Sequence, residues 1–137
     1  MKRQNGQALI EFALVLPLFL LLVFGVIYSG MLYYDYSTLS NLARTAARER
    51  AITENPPDNS ELENRYYDKT KGQFKYGLVT SLYKPATDAL KITGPENNNP
   101  DIVVTVTMEL GEDSSYFMRV ILPKRYSVVY YMRKDSY

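Results

Sequence analysis

The chain has 137 residues, 16 basic and 15 acidic, and contains neither histidine nor cysteine. The commonest general base, the thiol nucleophile, the disulfide and the usual zinc ligands are therefore all missing. Setting aside Lys2, Arg3 and Glu11 leaves 14 basic and 14 acidic residues from Asp35 onward, so the basic excess that nucleic-acid binding needs is absent.

A short basic start, Lys2 and Arg3, leads to Gly6. Asn5 and Gly6 are poor helix formers, which predicts a leader separate from the helix that follows. From Phe12 to Tyr34 there is no charged side chain, a run of 23 residues. As a helix this run is roughly 34 Å long, enough to cross a hydrocarbon core of about 30 Å. It is longer than the apolar region of a secretory signal peptide, and Ile27-Tyr28-Ser29-Gly30 lacks the small residues of such a cleavage site. Glu11 stands alone at the mouth of the run. A charge at the centre of a membrane helix costs about 2.5–3.5 kcal/mol, less near the interface, and is normally neutralised by a partner.

The segment GQALIEFALVLPLFLLLVFGVIYSG resembles the N-terminus of TadE-like proteins, the minor pseudopilins of tight-adherence (Flp) pilus systems. Basic leader, glycine, four residues, glutamate and an immediate apolar run form a joint pattern far more specific than any one part. The resemblance implies cleavage by a prepilin peptidase between Gly6 and Gln7. It also implies a mature chain beginning at Gln7, with Glu11 as its fifth residue. Phe12 departs from the tyrosine often found there, yet keeps an aromatic ring. In such a family Glu11, flanked by Phe12, would meet the new amine of a neighbouring subunit. The implied partners are the prepilin peptidase, other pilin or pseudopilin subunits, a membrane assembly platform and membrane lipid.

Within the run, Pro17 removes a backbone donor and should loosen the helix locally. Gly25 and Gly30 leave notches where another helix can approach. Proline and glycine are also simply commoner in membrane helices. The basic start favours a cytoplasmic N-terminus and an extracytoplasmic remainder, which gives a single-pass protein of the cytoplasmic membrane. Tyr28, Tyr33, Tyr34 and Tyr36 cluster at the far end as an aromatic belt.

The helix is expected to continue to about Asn55, with Leu39, Leu42, Ala43 and Ala46 as a buried stripe. Arg44, Thr45, Arg48 and Glu49 would be solvated. Asn55-Pro56-Pro57-Asp58-Asn59 ends the helix. Ser60 would cap a second helix that carries Leu62, Tyr66, Phe74, Leu78 and Leu82 inward and is closed by Lys84-Pro85. Gly72 and Gly77 argue against one unbroken helix. Ala89–Thr93 reads as a short strand, and Asp101–Leu110 as the clearest strand of the chain. Tyr116–Leu122 is open between helix and strand, and Arg125–Arg133 reads as a last strand antiparallel to the earlier one. Since Tyr130 and Tyr131 point to opposite faces, at least one should be exposed.

The expected architecture is α+β, pilin-like: a long N-terminal transmembrane helix extending into a small domain with a helix and a short antiparallel sheet. Its parts are a leader (1–6), a transmembrane helix (7–34), its extracytoplasmic extension (35–55) and a small domain (56–137). No catalytic residue, metal ligand, cofactor or small-molecule substrate is expected. Glu109, Glu112 and Asp113 read as a solvated turn, and the polar loop 96–101 carries as little weight as a cation site. Two other readings stand beside the pseudopilin. One is an unprocessed, membrane-anchored adaptor or binding module, and the other, far behind, is a hydrolase working with carboxylates.

Overall fold

A computed structural model describes residues 2–52, 58–94 and 100–134, with side chains from Gly6 onward. The fold is α+β: a long apolar N-terminal helix, then a small domain of helix and antiparallel sheet. Helix α1 spans Lys2–Ile52. Two compact units divide the chain between Tyr33 and Tyr34.

In the first unit, every described side chain up to Met31 is exposed. The expected break at Gly6 is absent, because α1 already begins at Lys2. Asn5 and Gly6 each cost at most about 1 kcal/mol as helix residues, and once a long helix exists each added residue gains a hydrogen bond.

The second unit packs the last turns of α1 on a three-stranded antiparallel sheet. Leu39, Leu42, Ala43 and Ala46 are buried as the periodicity predicts, and Ala47 joins them. Ala43, Ala46 and Ala47 are all fully buried. Strands β3 (Tyr83–Thr93), β4 (Asp101–Leu110) and β5 (Arg125–Arg133) lie in that order, with β4 central. Ile102, Val104, Val106 and Met108 of β4 are fully buried. Cross-strand pairs extend that inward face on both sides, Leu90 and Val128 flanking Val106 and Ile92 and Tyr130 flanking Val104. Tyr131 points outward, 71% exposed, while Tyr130 is half-buried with the Arg44 guanidinium 5.6 Å from its ring centre.

Several local expectations are corrected. Helix α2 covers only Asn59–Tyr66, and its N-cap is Asp58, which accepts hydrogen bonds from the Asn59 amide (2.9 Å) and the Ser60 hydroxyl (2.7 Å). A small hairpin follows, β1 (Tyr67–Asp68) against β2 (Gln73–Phe74). The Asp68 carboxylate accepts from the Thr70 and Lys71 amides, and Gly72 takes φ +61°; this turn chemistry stops the helix. Lys84-Pro85 does not close a helix but lies inside β3, which begins at Tyr83 rather than Ala89. Proline is tolerated there because β3 is an edge strand, and its pairing shifts register between Pro85 and Leu90. Leu62, Tyr66 and Phe74 are buried, whereas Leu78 and Leu82 are only partly so. Tyr116–Ile121 is a helix, α3, with no buried residue. Residues 53–57 and 95–99, with their proline and asparagine breakers, lie outside the described residues.

One acid joins these parts. Asp35 is 3% exposed, and its carboxylate accepts from the Val79 amide (2.7 Å), the Thr80 amide (2.9 Å) and the Thr80 hydroxyl (2.6 Å). The latch fixes loop 75–82 on α1 just ahead of Tyr83. Tyr83 then donates to the Pro123 carbonyl (2.9 Å) and meets Tyr126 edge-on at 4.8 Å. At the other end of the α1 segment, the half-buried Glu49 accepts from Arg65 and Tyr66 of α2. Glu49 is thus a tie to α2, not a solvated side chain.

Asp35→Asn puts a side-chain amide where only acceptors fit, and should cost about 2 kcal/mol. Hydrogen exchange on the full chain should then show faster exchange at the Val79 and Thr80 amides, with Val104 and Val106 still protected. A second expectation concerns alkaline pH. Burial, followed by the charge of Asp35, pushes the Tyr126 hydroxyl up to about 12. An unfolded tyrosine titrates near 10. The folded state therefore favours the neutral phenol, and this stability is complete below about pH 10 and lost as pH rises towards about 12. Tyr126→Phe keeps the ring contact and should remove about 1 kcal/mol of that alkaline loss, allowing for partial exposure, in thermal melts across the range.

Candidate processing and assembly segment

The residues singled out at the N-terminus all lie on α1. Gly6 and Gln7 lie six and five residues ahead of Phe12, where the long run starts, and both are exposed. A methyl group added at Gly6 would meet nothing within 4 Å, so no described residue demands glycine there for space. Its helical conformation does not demand it either, since its φ is not positive.

Glu11 lies one turn beyond Gln7, and the Gln7 side-chain amide donates to it at 3.3 Å. This contact is exposed and neutral, and no cation among the described residues pairs with the carboxylate. On either side stand Leu9, Ile10, Phe12 and Leu14, each well exposed. The geometry is thus a single anion on an apolar helical surface, open to a cation brought by another molecule. Phe12 presents its ring beside it, 63% exposed.

Farther along, α1 runs through Pro17 without a break. Proline has no amide hydrogen, so the Ala13 carbonyl one turn earlier loses its usual donor. Gly25 and Gly30 also face open space. Ser29 donates back to the Gly25 carbonyl at 2.8 Å, which satisfies its hydroxyl without a partner helix. Both glycines are therefore available as shallow notches. The window within Gly6–Ile52 is long and apolar enough to cross a membrane.

Elsewhere, the acidic turn is not an isolated cluster. Glu109 pairs with Arg125, which also reaches Asp88 at 3.2 Å, and Asp113 pairs with Lys84 at 2.8 Å. That pairing lowers the Asp113 carboxyl and raises the Lys84 amine from their ordinary values. Glu109, Glu112, Arg119, Lys124 and Arg125 line an open, mixed-charge groove of about 470 Å³. Among the described residues no group of three or more acids is placed to hold a metal ion. The loop at 95–99 lies outside the described residues.

Two features escaped the sequence reading. Asp35 is the first charge after the uncharged run, a signal visible in the sequence, but its loop partners are 44 and 45 residues away. The exposure of α3 has no sequence signal, because Tyr116, Phe117, Val120 and Ile121 look like core residues.

A search of curated proteins and a search of solved structures gave no match. A scan against family models gave one over the first part of the chain. Residues 6–48, from the glycine before the apolar run to the helix turns that cover the sheet, match the family described as TadE-like protein.

Proposed function

We propose that this chain is a minor pseudopilin of a tight-adherence (Flp) type pilus system, cut after Gly6 by a prepilin peptidase and active in pilus assembly. The observation that carries the reading is the match over residues 6–48 to the TadE-like family, which begins at the glycine of the cleavage motif and takes in Glu11. The uncharged helix holds the chain in the cytoplasmic membrane, with the N-terminus cytoplasmic and the sheet domain outside. Other pilin or pseudopilin subunits and a membrane assembly platform are its partners, and it acts by packing rather than catalysis.

The physical logic is that of a charge awaiting its complement. Cleavage between Gly6 and Gln7 creates a positive amine one helical turn from Glu11. In an assembling bundle, the amine of one subunit lies against the Glu11 carboxylate of the next. Each then relieves the desolvation cost of the other. Pro17, lacking one backbone hydrogen bond, lets the helix adjust as it leaves the bilayer, and Gly25 and Gly30 admit neighbouring helices closely.

Intact mass and the N-terminal residue, measured with and without a cognate prepilin peptidase, test the processing step. A peptidase-dependent start at Gln7, abolished by Gly6→Phe, is expected; a chain that keeps Met1 beside an active peptidase leaves the unprocessed anchored module as the better reading. Glu11→Gln should still be cut, yet assembly into filaments, scored by shear release, should fall at least about tenfold. Unchanged assembly of that variant removes the pairing.

A further inference from the structure

Strand β5 (Arg125–Arg133) forms one outer edge of the three-stranded sheet, and its hydrogen-bond phase can be read from its two ends. At one end the Leu110 amide donates to the Lys124 carbonyl at 2.8 Å; at the other the Lys134 amide donates to the Pro100 carbonyl at 2.9 Å. The pairing of β5 with β4 keeps one register from Arg125 to Arg133. In an antiparallel ladder, directly opposite residues alternate between those that exchange hydrogen bonds and those that do not. Both ends therefore turn the backbone groups of the even-numbered residues towards β4. The amides and carbonyls of Arg125, Ser127, Val129, Tyr131 and Arg133 point the other way, to the outer edge. All of these residues are exposed, Tyr131 at 71% and Val129 at 42%. Among the described residues no strand pairs with that edge.

The two edges of the sheet are unlike. On β3, Pro85 has no amide to offer, the register shifts between Pro85 and Leu90, and the Ile92 amide donates to Glu63 of α2 at 3.0 Å. Each of these features opposes the addition of another strand. Strand β5 has none of them. It is regular over its whole length, contains neither proline nor glycine, and carries no charge from Tyr126 to Met132. That stretch, Tyr-Ser-Val-Val-Tyr-Tyr-Met, is rich in residues that favour strands.

We propose that the outer edge of β5 is a homodimer interface, to which β5 of a second copy adds antiparallel about a two-fold axis at Val129. The phase of the strand suits this partner. Two-fold pairing sets Val129 against Val129, Ser127 against Tyr131, and Arg125 against Arg133. Each pair brings together two residues whose backbone groups both point outward, as a hydrogen-bonding pair requires. The charges at the ends do not oppose it. Arg125 already holds two acids, Glu109 and Asp88, so Arg133 of the second copy meets a cation that is more than neutralised. A second copy also fits better than an unrelated extended peptide, because the assembly closes. It gives one continuous sheet whose two remaining edges are both the blocked β3. The inference concerns the sheet unit alone and holds whether or not the N-terminus is cleaved.

The chain has no cysteine, so cross-links report single positions. Opposite residues in a hydrogen-bonding pair have Cα atoms about 5.5 Å apart, within the span of a disulfide. Full-length Val129→Cys chains, oxidised in detergent micelles well in excess of protein, should therefore form a disulfide dimer. Ser127→Cys and Tyr131→Cys chains should cross-link when mixed and not when oxidised singly, since like positions lie about 14 Å apart along the paired strands. Val129→Lys sets two cations at the axis and should weaken the dimer about tenfold in sedimentation equilibrium. Amide protection at Val104 and Val106 reports that the sheet of this variant is intact. A chain that stays monomeric throughout overturns the proposal, as does a dimer that Val129→Lys leaves unchanged. Cross-linking of Leu21→Cys chains without any at 129 overturns it in favour of contact through the apolar run. Ser127→Cys chains that link to themselves as readily as to Tyr131→Cys chains overturn the two-fold pairing.

Discussion

The Asp35 carboxylate is the interaction on which the second unit depends. It stands where the uncharged run gives way to a helix that must pack against protein. Three donors from Val79 and Thr80 satisfy it, and all three come from one short loop. Charge-assisted hydrogen bonds of this kind are among the strongest a protein makes, and a buried carboxylate without them would be among the costliest groups to hold. The same contact that solves the acid's desolvation problem fixes where β3 begins. Once Tyr83 is placed, its ring and hydroxyl set Tyr126 and Pro123, and β5 follows.

The α1 helix meets two different demands along one continuous sequence. Up to Met31 its described side chains are exposed and overwhelmingly apolar, which suits a lipid or helical surround. From Leu39 the buried positions fall on a stripe rich in alanine, which suits packing inside a protein. Glu11 and Asp35 mark the two ends of the first regime, and their surroundings differ sharply. Asp35 is answered within the chain by three donors, whereas Glu11 meets a neutral amide and otherwise faces outward. That contrast supports a structural role for Asp35 and the proposed intermolecular role for Glu11.

What the sequence made legible follows from how local each signal is. The β4 alternation and the Leu39–Ala46 stripe are period-two and period-3.6 patterns, and both faces fall where the periods put them. The glycine-to-glutamate string at the start of the family match is likewise short and contiguous. The extent of α2 was misjudged because Leu62, Tyr66 and Phe74 are all buried but on different elements, so their spacing imitated one helix. Asp68 and Gly72, which make the intervening turn, carry the contrary signal. Pro85 read as a stop because its tolerance depends on β3 being at the edge, a property of sheet order that no local pattern encodes. The outward face of α3 is of the same kind: hydrophobicity predicts burial, but which environment buries it is decided by where the fold places the segment.

The two ends of the sheet domain therefore carry different chemistry, and the difference follows from the latch. At the Gly94 end, Arg50 reaches a backbone carbonyl and the edges of β3, β4 and β5 are polar, with Thr93, Asp101 and Arg133 all exposed. At the Tyr83 end, aromatic rings and an exposed apolar helix accumulate, with the cations held at the margin by Asp113 and Glu109. A domain designed only for solubility would have no reason to place four large apolar side chains in water on a helix too short to be stable alone. They lie at the same end of the domain as Asp35, a buried acid among the described residues.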